Sequence, residues 1–210
     1  VLKGMSEYTS DPILISAYDI TYGKIELPIN FGQIIFLDSG GYECSQDVDL
    51  AVHMNPDYKP KDWTIEKHAE VIASWPNNRP TSVISFDHPD IRKPIEQQID
   101  CAREFFNGRK DVLNEILLKP ETNTSRSIKV ESVISHVEGL RFFDIVGVAD
   151  KELGFSVLER LVNVARIRLR MDEYGIRKPL HIFGSLDPII SPLYFFAGAD
   201  IFDGLVWLRY

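Results

Sequence analysis

Three apolar runs in this chain each deliver one aspartate at their C-terminal end. Asp38 ends the first run, Asp87 the second and Asp203 the third. In α/β enzymes the carboxyl ends of strands are where catalytic groups are placed. Three carboxylates at such positions therefore predict a pocket that handles charge.

The first of these aspartates opens a motif with two glycines, DSGGY at residues 38–42. Glycines after a strand allow the backbone to turn sharply and allow a ligand to approach it closely. Their N–H groups can bind an anion or a carbonyl oxygen. The alternative is a plain turn that Asp38 caps, and the motif by itself leaves both interpretations open.

Seven short runs rich in Val, Ile, Leu and Phe predict strands that are buried on both faces. They span residues 13–18, 34–38, 82–87, 115–119, 143–148, 180–184 and 200–206, and Val1-Leu2 could begin an eighth strand. Amphipathic segments between the runs predict helices, the longest at 155–174, and Ser127 is a candidate cap for another.

Alternation of strands and helices predicts a parallel sheet with right-handed crossovers. Eight such units close as a (β/α)8 barrel, so we expect an α/β fold, a TIM barrel in a single domain over residues 1–210. A doubly wound open sheet is the competing architecture. The chain starts at Val1 and stops at Tyr210, directly after a predicted strand, so we expect a barrel incomplete at both ends.

Residues 43–80 interrupt this rhythm, because they separate two strands by far more than the usual connection of about 2–6 residues. The first part is predicted to be loop, and residues 63–75 are predicted to be helix. A long excursion after a catalytic strand end is typical of a lid or a binding loop.

Composition limits the class of protein. The net charge of −8 argues against a broadly basic nucleic-acid surface, although it leaves room for a local basic patch. No apolar run reaches the roughly 20 residues of a membrane span, and no secretory signal is visible, so we expect a cytoplasmic protein without membrane contact. Cys44 and Cys101 are too few for a disulfide framework or a zinc site, and the histidines lack metal-ligand spacing.

Further motifs follow the later strands: GVADKE at 147–152, HIFGSLDP at 181–188 and DIFDGLVWLR at 200–209. Together with DSGGY and with SFDHP at 85–89, this ordered set resembles the queuine/archaeosine tRNA-guanine transglycosylase family. Members of that family carry DSGG(F/Y)Q, a strand ending in FDE, GLAVGE, YLMGVGxP and DMFDCVxPTR. The segment ISAY at 15–18 also looks like the family's GNTY.

The resemblance implies a (β/α)8 barrel enzyme, a pentosyltransferase that exchanges guanine in a nucleic acid for a 7-deazaguanine base such as preQ0, preQ1 or queuine. A nucleophilic aspartate cleaves the glycosidic bond, and the incoming base attacks the resulting covalent ribosyl-enzyme, so the configuration is retained. By position, Asp203 would be the nucleophile and Asp38 the general acid/base.

The resemblance also implies a set of substrate-binding residues. Tyr42 would stack on the base, Asp87 would accept hydrogen bonds from its ring N–H and amino groups, and Gly147 would offer a backbone N–H to its carbonyl oxygen. Gly184 would leave room near the ribose, and Arg209 would meet a phosphate. The other positions carried over from the family motifs are Ser39, Gly40, Val148 and Glu152.

Departures from the family pattern keep several alternatives open. Lys119-Pro120-Glu121 stands where the family has a Gln-Gly that helps to read the base, and His88 replaces an acid. tRNA is the favoured polymer, with a DNA-modifying paralogue, a non-catalytic accessory subunit and an unrelated barrel enzyme acting on small molecules as alternatives. The resemblance implies a homodimer or heterodimer, no cofactor or metal in this chain, and zinc only in a C-terminal subdomain that is absent from these residues.

Overall fold

The computed structural model describes residues 2–8, 10–44, 59–76 and 78–204. It contains two compact units. The first consists of Val1–Ile91 with Lys110–Leu113, and the second consists of Arg92–Arg109 with Asn114–Tyr210.

The first unit pairs three parallel strands in chain order, and the register places Ser16 beside Asp38 and Leu37 beside Val83. Its strands bury branched apolar side chains, and Trp63 and Trp75 complete the core. Its elements are α1 (Leu2–Tyr8), β1 (Ile13–Ser16), α2 (Ala17–Thr21), β2 (Ile35–Asp38), α3 (Ile65–Ala73) and β3 (Thr81–Ile84).

The second unit continues the alternation of strands and helices, and its strands β4 to β7 also pair in parallel. Two 3₁₀ turns, Val137–Phe142 and Asp150–Glu152, precede and follow β5. The other elements are α4 (Ile95–Phe106), β4 (Leu113–Leu118, whose first residue belongs to the first unit), α5 (Val130–Ser135), β5 (Ile145–Ala149), α6 (Val157–Glu173), β6 (Leu180–Phe183), α7 (Ile190–Phe196) and β7 (Ile201–Phe202).

The longest helix, α6, begins and ends where its sequence provides the appropriate residues. The Ser156 side chain caps its N-terminus by accepting a hydrogen bond from the Glu159 N–H at 3.1 Å. Beyond its C-terminus, Gly175 adopts a φ of +66°, a conformation that glycine reaches without a steric penalty. Val164, Ile167 and Met171 form its buried side.

The predicted α/β class is confirmed, but the predicted (β/α)8 TIM barrel, expected to be incomplete at both ends, is wrong. The described strands form one sheet of seven, in which strand order follows chain order and β1 and β7 are the two edges. Closure would need an eighth strand between those edges. Residues 2–8, which include the proposed start of an eighth strand, form the helix α1 instead.

The long excursion contains the helix that its sequence predicts, because α3 lies within residues 63–75. Residues 45–58 of the excursion lie outside the described part of the chain. None of the helices in the described ranges has the length and apolar character needed to cross a membrane.

Candidate functional site

In the first unit, the DSGG motif forms a tight turn at the carboxyl end of β2. Asp38 is the last residue of the strand, and its Oδ2 accepts a hydrogen bond from the Gly40 N–H at 3.1 Å. Gly40 has a φ of +81°, and a Cβ at this position would lie 2.5 Å from the Tyr18 Cβ. Asp38 thus caps the turn, as the simpler interpretation of the motif has it.

The same turn holds the second aspartate. The buried Ser39 hydroxyl donates a hydrogen bond to Asp87 Oδ1 at 2.9 Å. A Cβ on Gly41 would lie only 1.6 Å from that oxygen, so the carboxylate occupies the space that the glycine leaves. The group that approaches this glycine is therefore the Asp87 side chain, and the structure brings Ser39, Gly41 and Asp87 together.

An aromatic side chain fixes the turn from the excursion. The indole N–H of Trp63, a buried residue just before α3, donates to the Ser39 carbonyl oxygen at 2.7 Å. Trp63 also packs edge-on against Tyr18, with ring centroids 5.5 Å apart. In contrast, Tyr42 has 45% of its surface exposed, which suits a ring that meets a ligand.

In the second unit, Asp203 follows β7 and is held through one oxygen. Its Oδ1 accepts a hydrogen bond from the Gly184 N–H at 3.0 Å and lies 3.3 Å from His181 Nε2. Gly184 adopts a φ of +78°, a conformation that glycine reaches without a steric penalty. No residue in the described ranges donates a hydrogen bond to Oδ2, and the side chain is 24% exposed.

His181 is buried behind this carboxylate and is paired with a buried glutamate. Its Nδ1 lies 2.7 Å from Glu115 Oε1, and neither side chain is more than 1% exposed. Burial lowers the pKa of His181, but the charge of Glu115 and the hydrogen bonds to Asp203 and Glu115 outweigh it and raise the pKa to about 9. At neutral pH the ring is therefore an imidazolium, with Nδ1 hydrogen-bonded to Glu115 and Nε2 close enough to Asp203 for an ion pair.

Gly147 makes this arrangement possible. It lies inside β5, in register with Leu117 of β4 and His181 of β6. A Cβ here would lie 2.5 Å from the Phe183 ring and 3.3 Å from Glu115 Oε1. The missing side chain makes room for Phe183, which stacks on His181 with ring centroids 3.9 Å apart.

Sequence reasoning missed Glu115 and His181. Each lies at the start of an apolar run, where a buried polar residue is as consistent with a structural role as with a functional one. The available signal was a glycine in a buried strand, with a glutamate and a histidine on the two flanking strands. It becomes informative only when the register of all three strands is known.

The three remaining predicted substrate-binding residues lie in different surroundings. The buried Glu152 forms an ion pair with Lys119, with Oε1 and Nζ 2.9 Å apart, while Val148 is fully buried in β5. Arg209 lies outside the described residues.

No group of three or more His, Cys, Asp or Glu side chains that could hold a metal ion occurs within the described ranges, so we assign no metal ligand.

No model of a protein family matches this chain, and no curated protein sequence is significantly similar to it.

Proposed function

We propose that this protein is a transglycosylase that exchanges guanine for a 7-deazaguanine base in a nucleic acid. The reaction proceeds by double displacement: the Asp203 carboxylate displaces guanine from the anomeric carbon, and the incoming base then displaces Asp203. The order and content of the sequence motifs suggest this reaction, and the arrangement around Asp203 supports it.

The observation that carries the proposal is the orientation of Asp203. One oxygen is held by the Gly184 N–H and by His181, which leaves Oδ2 to attack an electrophile. The ionised carboxylate is the nucleophilic form, and the His181 imidazolium places a positive charge next to it. When Asp203 later becomes the leaving group, the same contacts stabilise its returning negative charge.

In this proposal Asp38 acts as the general acid/base for the departing and entering bases, and Asp87 accepts hydrogen bonds from the base. Asp87 Oδ1 already accepts the Ser39 hydroxyl proton, and that contact fixes the orientation of the carboxylate. A fixed acceptor can distinguish a base with adjacent N–H donors from one that lacks them.

The test uses tRNA and duplex DNA that carry radiolabelled guanine, with preQ0, preQ1 or queuine added. We expect the wild-type chain to release label from one polymer and to form a covalent adduct that survives denaturing electrophoresis. Asp203→Asn should remove the adduct and lower the rate of release by more than about a thousandfold. Asp100→Asn changes an exposed carboxylate on α4 and should leave both unchanged.

Each other result has a definite meaning. Release that persists in Asp203→Asn would contradict the assignment of the nucleophile. Binding of a 7-deazaguanine without release from either polymer would support the accessory-subunit alternative, and release from DNA alone would support the DNA-modifying alternative. A chain that binds no purine base would contradict the proposed function as a whole.

A further inference from the structure

A second candidate site lies in the second unit. Its residues are distant from Asp203 in sequence, and none of them is among the contacts described for the Asp203 carboxylate. It is an open cleft of about 550 Å³, lined by Thr124, Ser125, Arg126, Ser127 and Phe155. None of these side chains is acidic, although acidic residues outnumber basic ones by 31 to 23 in the chain. The cleft thus combines one cation, three hydroxyl groups and one aromatic ring.

The backbone that carries the Phe155 ring is held by hydrogen bonds. Phe155 is 75% exposed, yet its N–H donates to Glu159 Oε2 at 2.8 Å. Arg160 donates to the preceding carbonyl oxygen, of Gly154, at 2.9 Å, and Asn163 donates to that of Leu153 at 2.7 Å. Three side chains of α6 therefore fix the segment that presents an apolar ring to solvent, as in a preorganised binding surface.

The hydroxyl groups of the cleft can supply donors to a ligand. Thr122 Oγ1 lies 3.1 Å from Thr124 Oγ1 and 2.9 Å from Ser125 Oγ. Because Thr122 has a single hydroxyl proton, it donates to at most one of these neighbours, and a neighbour that accepts it keeps its own proton to donate. Ser127, the predicted helix cap, does not cap α5, and its buried Oγ has no hydrogen-bond partner in the described part of the chain.

The cation of the cleft is also available. In the described ranges, the Arg126 guanidinium takes part in none of the hydrogen bonds or ion pairs, and the residue is exposed. The Glu159 carboxylate lies next to the backbone of Phe155 and accepts a hydrogen bond from its N–H. An anionic group of a ligand is therefore favoured beside Arg126 and disfavoured beside the Glu159 carboxylate.

We propose that this cleft binds a single-stranded segment of a polynucleotide, with an unstacked base on Phe155 and a phosphate held by Arg126 and the neighbouring hydroxyl groups. An exposed aromatic ring next to an arginine is the combination that binds single strands, because every base offers a face for stacking. Guanidinium and hydroxyl groups supply donors for phosphate oxygens. This inference rests on the proposed function for the identity of the polymer and adds a place where it is bound.

The test measures binding of a fluorescein-labelled single-stranded ten-nucleotide oligomer of mixed sequence by fluorescence anisotropy, at several salt concentrations. Phe155→Ala should weaken binding about tenfold without changing the salt dependence, while Phe155→Tyr should bind as the wild type does. Arg126→Ala should weaken binding and reduce the slope of log Kd against log salt by about 0.7, the value for one lost phosphate contact to a single strand.

The matched controls are Phe196→Ala and Arg177→Ala, which change an exposed ring and an exposed arginine elsewhere in the same unit. Losses in the controls equal to those in the cleft variants would overturn the proposal, as would equal affinity for a nucleoside monophosphate or for duplex DNA. Base exchange is assayed separately. If the cleft binds the oligomer but the chain shows no exchange activity, this inference stands and the proposed function is contradicted. If the chain exchanges bases but the cleft variants bind the oligomer as the wild type does, the proposed function stands and this inference is contradicted.

Discussion

At the scale of single residues, the central feature is a buried charge arrangement that ends at one carboxylate. Glu115, His181 and Asp203 lie in series, and only Asp203 reaches solvent. A buried ion pair is often no more stabilising than apolar residues of similar volume, because both charges must be desolvated. What the pair does supply is a fixed imidazolium beside Asp203, and this gives a physical reason to bury two polar side chains between apolar strands.

The first prediction concerns the protonation of His181. Its pKa of about 9 depends on the charge of Glu115, because burial alone lowers the pKa of an imidazole. We expect NMR titration of the His181 ring to show it protonated at pH 7.5 in the wild type and neutral in Glu115→Gln. The control, Glu121→Gln, removes a carboxylate whose contacts are with Ile95 and Ser132 and should leave the titration unchanged.

The same shift has a consequence for stability. Since the folded pKa of about 9 lies above the unfolded value of about 6.5, the stabilisation is complete below pH 6.5 and is lost as the pH rises through 9. A difference of this size corresponds to about 3 kcal/mol. Urea unfolding at pH 6 and at pH 9.5 should show this loss in the wild type and a smaller one in Glu115→Gln. An equal loss in both would contradict the role of Glu115.

What the sequence could predict at this scale was the position of two aspartates, because Asp38 ends β2 and Asp203 directly follows β7, as expected. The partners of Asp203 could not be predicted. His181 meets Glu115 across β5 only because Gly147 has no side chain, and that depends on the register of three strands.

At the scale of elements, the turn after β2 is the part whose glycines have a demonstrable function. Gly41→Ala places a Cβ where Asp87 Oδ1 now lies, so the carboxylate must move and its hydrogen bond with Ser39 must break. We expect a loss of about 1–3 kcal/mol in the free energy of urea unfolding, together with weaker binding of a 7-deazaguanine base.

A double-mutant cycle isolates the cause. If the cost of Gly41→Ala arises from Asp87, it should be much smaller in an Asp87→Ala background, whereas additive effects would point to a different neighbour. Gly4→Ala is the control, because no heavy atom lies within 4 Å of its added Cβ and α1 should gain slightly from alanine.

Element types were largely predictable from the sequence, but their ends and caps were not. All seven strands occur, yet the first is shorter than predicted because residues from Ala17 form α2. The helix expected to begin with a Ser127 cap begins at Val130, with Lys129 as its N-terminal boundary. Local propensity indicates that a helix forms, whereas the place where it starts depends on tertiary contacts.

At the scale of the whole molecule, alternating strands and helices suit a closed barrel and an open sheet equally well. The sequence pattern indicates that the strands pair in parallel, but it does not indicate whether the first strand pairs with the last. The prediction of a barrel therefore failed at the one step that depends on all strands together, while the predicted α/β class and parallel pairing are those observed.

The last prediction uses the fact that each unit contains one cysteine, Cys44 in the first and Cys101 in the second. Burial, and then the negative charges of Glu43 and Asp87, raise the pKa of the Cys44 thiol to about 12, and its Sγ donates to the Gly40 carbonyl oxygen at 3.1 Å. Cys101 is partly exposed, with Lys93 Nζ 3.0 Å from its sulfur.

Because the thiolate is the reactive form, iodoacetamide at pH 8 should modify native Cys44 at least about 100-fold more slowly than Cys101. The rates are measured by mass spectrometry in Cys101→Ser and Cys44→Ser, so that each variant retains one thiol. In rising urea, Cys44 should become reactive only when the turn after β2 opens, and its labelling then reports the stability of the first unit. If native Cys44 reacts as fast as Cys101, this turn is not closed in solution, and the alignment of Asp87 that depends on it is lost as well.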